Sequence, residues 1–162
     1  MLLLAAPAGS FKSVIALNLA NGLAKGEDTF ELFKIPEPLT VLYVDAEIGE
    51  DYFKQRLDLF YPEADQAPEN LTLVSKEDEM SDFKLDFQNR LNPLKQLLND
   101  IKPNVVVLDC LNPLLQEEEG ERAYSFAADH INRIQREYTD PRPSFIVVHH
   151  MRKINILSLI HI

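Results

Sequence analysis

The sequence predicts an α/β fold, a mostly parallel sheet with helices packed on both of its faces. Three observations carry that prediction. Short apolar runs rich in β-formers alternate with stretches whose apolar residues recur at helical spacing. The run "NVVVLDC" (104–110) is continuously apolar up to its Asp, as in a strand covered on both sides, rather than alternating. The helical stretches have the length, roughly 10–15 residues, of crossovers between parallel strands.

Residues 2–5 read as the first strand. Over residues 12–25, Ile15, Leu19 and Leu23 repeat at every fourth position with Ala16, Ala20 and Ala24 beside them, which is a helix. Gly26 stands where a glycine closes a helix C-terminus. Residues 27–38 form an irregular connection ending in "IPEP", and "LTVLYVDA" (39–46) is the second strand. A short amphipathic helix spans 50–60 and stops at Pro62. "NLTLVS" (70–75) is the third strand, followed by an acidic loop over 76–82. Residues 88–102 read as a helix with Leu91, Leu94, Leu97, Leu98 and Ile101 on one side, its start open to slippage because Pro93 falls in the first turns. The fourth strand is 104–110, then "EEEGE" (117–121) is a polar loop, 123–138 a helix and "SFIVVHH" (144–150) the fifth strand. The chain shows no internal repeat and no low-complexity linker.

With 162 residues, 46% of them hydrophobic and 26% charged, the chain has material for one packed domain. Its net charge of −10 excludes unaided grip on a nucleic-acid backbone, which needs clustered Lys and Arg. The single cysteine, Cys110, leaves no internal disulfide and no Cys-rich zinc site. Zinc is not expected in any other form, because His130 falls on a helix and no Cys or further His is well placed. No apolar run approaches the roughly 20 residues that span a bilayer. The apolar start lacks a basic region and reads as a strand, not a signal peptide. A cytoplasmic setting without a membrane partner is expected.

In parallel α/β sheets the working residues gather at the carboxyl ends of the strands. After the first strand comes "APAGSFKS" and then a helix, whose N-terminus suits a phosphate. The strict loop pattern G-x-x-x-x-G-K-[ST] is not met, since its two glycines fall on Ala6 and Phe11, but Lys12, Ser13 and the inner Gly9 are present. Lys12 would reach the outer phosphates and the Ser13 hydroxyl would ligate Mg²⁺. After the second strand stands Glu47, a carboxylate able to orient and deprotonate a water. After the fourth comes Asp109, four apolar residues preceding an acid that needs a partner or a metal. After the fifth come His149 and His150, one for each face of the sheet. Each feature alone also fits a plain role: a turn with a chance Lys-Ser, an acidic loop, a capping Asp, two solvated histidines. Their joint occurrence at four strand ends favours a nucleotide site.

This order resembles the RecA-like branch of P-loop ATPases, and most specifically the RepA-type hexameric replicative helicases of plasmids and phages and their AAA-domain relatives. The residues carrying the resemblance are "GSFKS" (9–13), "VLYVDAE" (41–47), "VVVLDCLNPLL" (105–115) and "VVHHMRK" (147–153). It implies a three-layer RecA-like P-loop NTPase core over residues 1–153 that binds ATP and Mg²⁺. The nucleotide-binding set is then Ala8, Gly9, Ser10, Phe11, Lys12, Ser13 and Val14, and the Mg²⁺ set Ser13 and Asp109. Glu47 takes the place of the catalytic glutamate, and His150, ahead of His149, that of the γ-phosphate contact. The fifth strand should lie between the first and the fourth, the second strand next, and "NLTLVS" at the edge.

The function so implied is the ATP-hydrolysing motor of a DNA helicase or DNA-remodelling ATPase in plasmid- or phage-type replication. Such motors work as homo-oligomeric rings, with an arginine finger from the next subunit and DNA, single-stranded or duplex, held by loops after the sensor strand. Those parts are expected to lie outside this chain, so the core is expected to be incomplete and the isolated chain poorly active. The tail "INILSLIHI" (154–162) is atypical and looks like translated sequencing adapter, which suggests a truncated reading frame. Two other readings share the same core: a recombinase-like or regulatory RecA-fold ATPase, and a nucleotide-gated interaction module without turnover.

Overall fold

Alternation along the buried strands sorts the core into two halves, one on each side of a single sheet. The computed structural model describes residues 1–31, 34–62, 67–116 and 121–151. Its strands are β1 (Leu2–Pro7), β2 (Val41–Asp45), β3 (Leu71–Val74), β4 (Val105–Asp109) and β5 (Ser144–Met151), all parallel, in the order β1-β5-β4-β2-β3. This is the order that the resemblance implied, with the fifth strand between the first and the fourth. The helices among the described residues are α1 (Lys12–Lys25), α2 (Glu50–Phe60), α3 (Asn92–Ile101) and α4 (Glu121–Glu137).

Val41, Tyr43, Val105, Val107, Ile146 and Val148 pack with Ala16, Leu17 and Ala20 of α1 and Phe53 of α2. The intervening Leu42, Val44, Val106, Leu108, Phe145 and Val147 pack with Leu94 and Leu98 of α3 and Ala127, Ile131 and Ile134 of α4. Three layers follow: α1 and α2, the sheet, α3 and α4. Burial on both faces explains why β4 carries no polar alternation. Each large aliphatic or aromatic side chain so buried contributes about 1.5–3 kcal/mol. The same parity assigns the strand ends. Asp45, Asp109 and His150 continue the register of the α1/α2 side, while His149 continues that of the α3/α4 side.

Gly26 caps α1 as expected, with φ 69° and its N–H donating to the Gly22 carbonyl. The helix expected over 88–102 is corrected. Gln88–Arg90 form a separate 3₁₀ turn and α3 begins at Asn92. Pro93 falls in the first turn, where its missing N–H has no intrahelical partner to lose. Lys102, in the left-handed region at φ 49°, ends α3 rather than extending it. The acidic loop carries a 3₁₀ turn at Glu79–Ser81 and then buries Phe83 and Leu85 completely. Residues 117–120, most of the expected polar loop, and 152–162, which include Arg152, Lys153 and the atypical tail, lie outside the described residues. Among the described residues, no helix is long and apolar enough to cross a membrane.

Candidate active site

Between β1 and α1 the chain turns through two left-handed residues, Gly9 at φ 79° and Phe11 at φ 58°. Glycine enters that region freely, whereas for an L-residue it costs about 1–2 kcal/mol. Phe11 thus reproduces, at a conformational cost, the backbone shape that the pattern glycine would give. Its ring is 75% exposed and packs into no core. α1 has no side-chain N-cap and no acidic residue in its first turn. Its N–H groups and the positive end of its dipole are therefore open to an anion. Lys12, only 6% exposed, donates from Nζ to the Pro7 carbonyl at 2.8 Å and to Ser10 Oγ at 3.2 Å. The loop thereby holds its own ammonium ready beside the helix N-terminus.

The Ser13 hydroxyl donates to Asp109 Oδ1 at 3.0 Å, joining α1 to the end of β4. Tyr43 donates its hydroxyl to Asp109 Oδ2 at 2.6 Å. Asp45 lies opposite Asp109 in the β2–β4 register. Its Oδ1 accepts from the backbone N–H groups of Glu47 and Ile48, but its Oδ2 is buried with no hydrogen-bond partner. Burial pushes the Asp45 carboxyl up to about 6 and raises Asp109 as well, against the hydrogen bonds from Tyr43 and Ser13 that favour its charge. An orphaned carboxylate oxygen beside a Ser–Asp pair is a hard, oxygen-rich corner of the kind that holds Mg²⁺. Ser13 and Asp109 would hold that ion, with Asp45 behind them.

At the open end, His150 Nε2 lies 2.8 Å from Glu47 Oε2. A cavity of about 300 Å³ is lined by Gly9, Ser10, Phe11, Lys12, Ser13 and Val14 together with Glu47, Ile48, Arg56 and His150. The structure therefore brings the loop, Glu47 and His150 to one space, with Asp109 reaching it through Ser13. Ala8 is not among the lining residues. His149 stands on the other side of the sheet, where its Nδ1 meets Asn112 Oδ1 at 3.1 Å and its ring lies edge-on to Tyr124.

Four further residues belong to this site. Tyr43 and Asp45 stand within the run "VLYVDAE" (41–47), where Glu47 alone drew a role. Arg56 lines the cavity, and its charge favours ionisation of both Asp45 and Asp109. Its signal was its spacing: Phe53, three residues earlier, stacks on Tyr43, so Arg56 shares the inward side of α2. Cys110 is the fourth, and it corrects the expectation that no cysteine is placed to join a histidine. Its sulfur, Glu47 and His150 present ligand atoms that all lie within 4.8 Å of one another. Folding of β4 against β2 and β5 creates that proximity, which linear spacing does not show.

The family model described as "AAA domain" matches residues 1–155 of the chain. Among solved structures, the crystal structure of a KaiC-like protein from the hyperthermophilic archaeon Pyrococcus horikoshii is similar, with a TM-score of 0.56 at 14% sequence identity. That match covers 94% of this chain and 62% of the archaeal one. At such identity the likeness is one of fold. No curated protein matches the chain at a significant level.

Proposed function

The chain belongs to the AAA domain family, with a RecA-like P-loop ATPase core, and from that premise we propose that it binds ATP with Mg²⁺ and hydrolyses the γ-phosphate. The Ser13–Asp109 hydrogen bond carries this reading, because it joins two residues 96 positions apart into one cation corner at the loop. When bound, Mg²⁺ neutralises phosphate charge as it develops. The chain's own residues supply the rest. The N–H groups of α1's first turn and Lys12 receive the phosphates, and Arg56 adds a second positive charge to the same cavity. Glu47 orients a water and accepts its proton. His150, hydrogen-bonded to Glu47, fixes that carboxylate and stands beside the position of the terminal phosphate.

We further propose that this core drives a DNA helicase or DNA-remodelling ATPase of the plasmid or phage replication type. The support is the sequence resemblance of "VLYVDAE" and "VVHHMRK" to that branch. On this reading the working form is a homo-oligomeric ring of a longer parent, and DNA is held by parts outside this chain, since the surface here is acidic. Single-turnover hydrolysis of ATP by the wild type and by Glu47→Gln tests the catalytic part. Stimulation of the longer parent's turnover by single-stranded DNA tests the DNA part. Hydrolysis that is equal in wild type and variant, or turnover indifferent to DNA, removes the corresponding half of the reading.

A further inference from the structure

We infer that Glu47, Cys110 and His150 form a binding site for a thiophilic divalent cation of the zinc type, distinct in chemistry from the Mg²⁺ corner. The donors come from three segments: the turn after β2, the residue following β4, and the end of β5. Convergence of a carboxylate, a thiol and an imidazole within 4.8 Å is not the product of one acidic loop. Zinc takes this donor set at about 2.0–2.3 Å, which for tetrahedral geometry separates neighbouring donors by about 3.3–3.6 Å. The present Glu47–His150 pair at 2.8 Å opens by about half an ångström to reach that spacing. Both side chains have room to do so, being 44% and 23% exposed.

Donor chemistry separates the two cations. Mg²⁺ wants hard oxygen ligands in octahedral array, which Ser13 and Asp109 offer. Sulfur and imidazole prefer softer zinc. In the metal-free chain the thiol is neutral, because burial pushes it up to about 12. On binding, the sulfur–cation bond forms and the thiol proton leaves to solvent, while the imidazole of His150 shifts its own proton from Nε2 to Nδ1 so that Nε2 can take the cation in place of its hydrogen bond to Glu47. No oxidant or reductant is involved. A bound cation occupies the carboxylate oxygens and imidazole nitrogen that the hydrolytic step uses, so turnover falls while the phosphate loop stays free. The cation site does not rest on the ATPase reading; only its inhibitory consequence does.

The test titrates the metal-free chain with Co²⁺ as a spectroscopic stand-in and then displaces it with Zn²⁺. A thiolate-to-cobalt charge-transfer band should appear at one equivalent, vanish on Zn²⁺ addition and be absent in Cys110→Ser. Zn²⁺ affinity should drop at least about tenfold in His150→Ala, a partly exposed position that keeps the test valid if the Cys110 variant fails to fold. A wild-type titration without a thiolate band, or with one that Mg²⁺ displaces as well as Zn²⁺, overturns the proposal. So does a His150→Ala chain that binds Zn²⁺ as tightly as wild type. ATP binding measured on the same samples reports separately on the nucleotide site.

Discussion

His150 and Glu47, 103 residues apart in the chain, meet at 2.8 Å between Nε2 and Oε2 at the mouth of the phosphate-loop cavity. A carboxylate can only accept, so Nε2 carries the proton in this pair. Replacing Glu47 by Gln keeps the shape but cannot take a proton from water. Glu47→Gln should leave ATP binding intact and slow single-turnover hydrolysis by about 10²–10⁴-fold. Unchanged hydrolysis would move the general-base role to another carboxylate.

The two histidines should separate cleanly. His150→Ala frees Glu47 and should cut hydrolysis more than ATP affinity. His149→Ala removes contacts with Asn112 and Tyr124 across the sheet and should act on stability, seen as a lower Tm, with hydrolysis per folded chain retained. The opposite pattern would place the phosphate-facing side on the α3/α4 face.

Arg56→Ala should weaken ATP binding by about 10–100-fold, the loss expected for one charge-assisted hydrogen bond of about 1.5–3 kcal/mol. Arg56→Lys keeps the charge but not the fork, and should fall between. Equal affinity in calorimetric titrations of all three chains would leave Arg56 as a residue that only offsets Asp45 and Asp109.

Asp45 gives a pH signature in the chain freed of divalent cations. Its carboxyl holds a proton up to about 6 in the folded state, against about 3.9 when unfolded. Between those values the folded state binds more protons, so this residue's contribution to stability is present at low pH and is lost as pH rises through about 6. Asp45→Asn should therefore be more stable than wild type at pH 7, by up to about 3 kcal/mol. That gap should close below pH 4. A gap that widens on acidification would reverse the assignment.

Phe11→Gly relieves a left-handed backbone at a residue whose ring packs into nothing, so no core contact is lost. Folding stability should rise by about 0.5–1 kcal/mol after the extra chain entropy of glycine is offset. ATP affinity should not fall. A large drop in affinity in the glycine variant would show the ring touching the nucleotide.

Much of the fold was legible because burial on both faces leaves continuous apolar strands, and the helical periodicities between them were strong. The α3 boundary was not, since Pro93 permits a start at several positions and its tertiary setting chose Asn92. Lys12, Ser13, Glu47, Asp109 and His150 stood out because each is polar at the end of an apolar run. Arg56 lacked that contrast in the charged helix "EDYFKQRLDLF" (50–60). Asp45 was overshadowed by Glu47, and only the strand register sets it opposite Asp109. Cys110 read as one more apolar residue until the end of β5 brought His150 beside it.

Lys12 tests the central claim most directly. Its ammonium is the buried cation of the phosphate loop, held by Pro7 and Ser10 at the start of α1. Titration of wild type and Lys12→Ala with a fluorescent ATP analogue and Mg²⁺, with the fold of each checked by circular dichroism, isolates that charge. The account predicts saturable binding by the wild type and a loss of at least about tenfold in the variant, the minimum for a charged contact to phosphate. Equal affinity in two folded chains, or no binding by either, would contradict a phosphate-binding loop at residues 8–14.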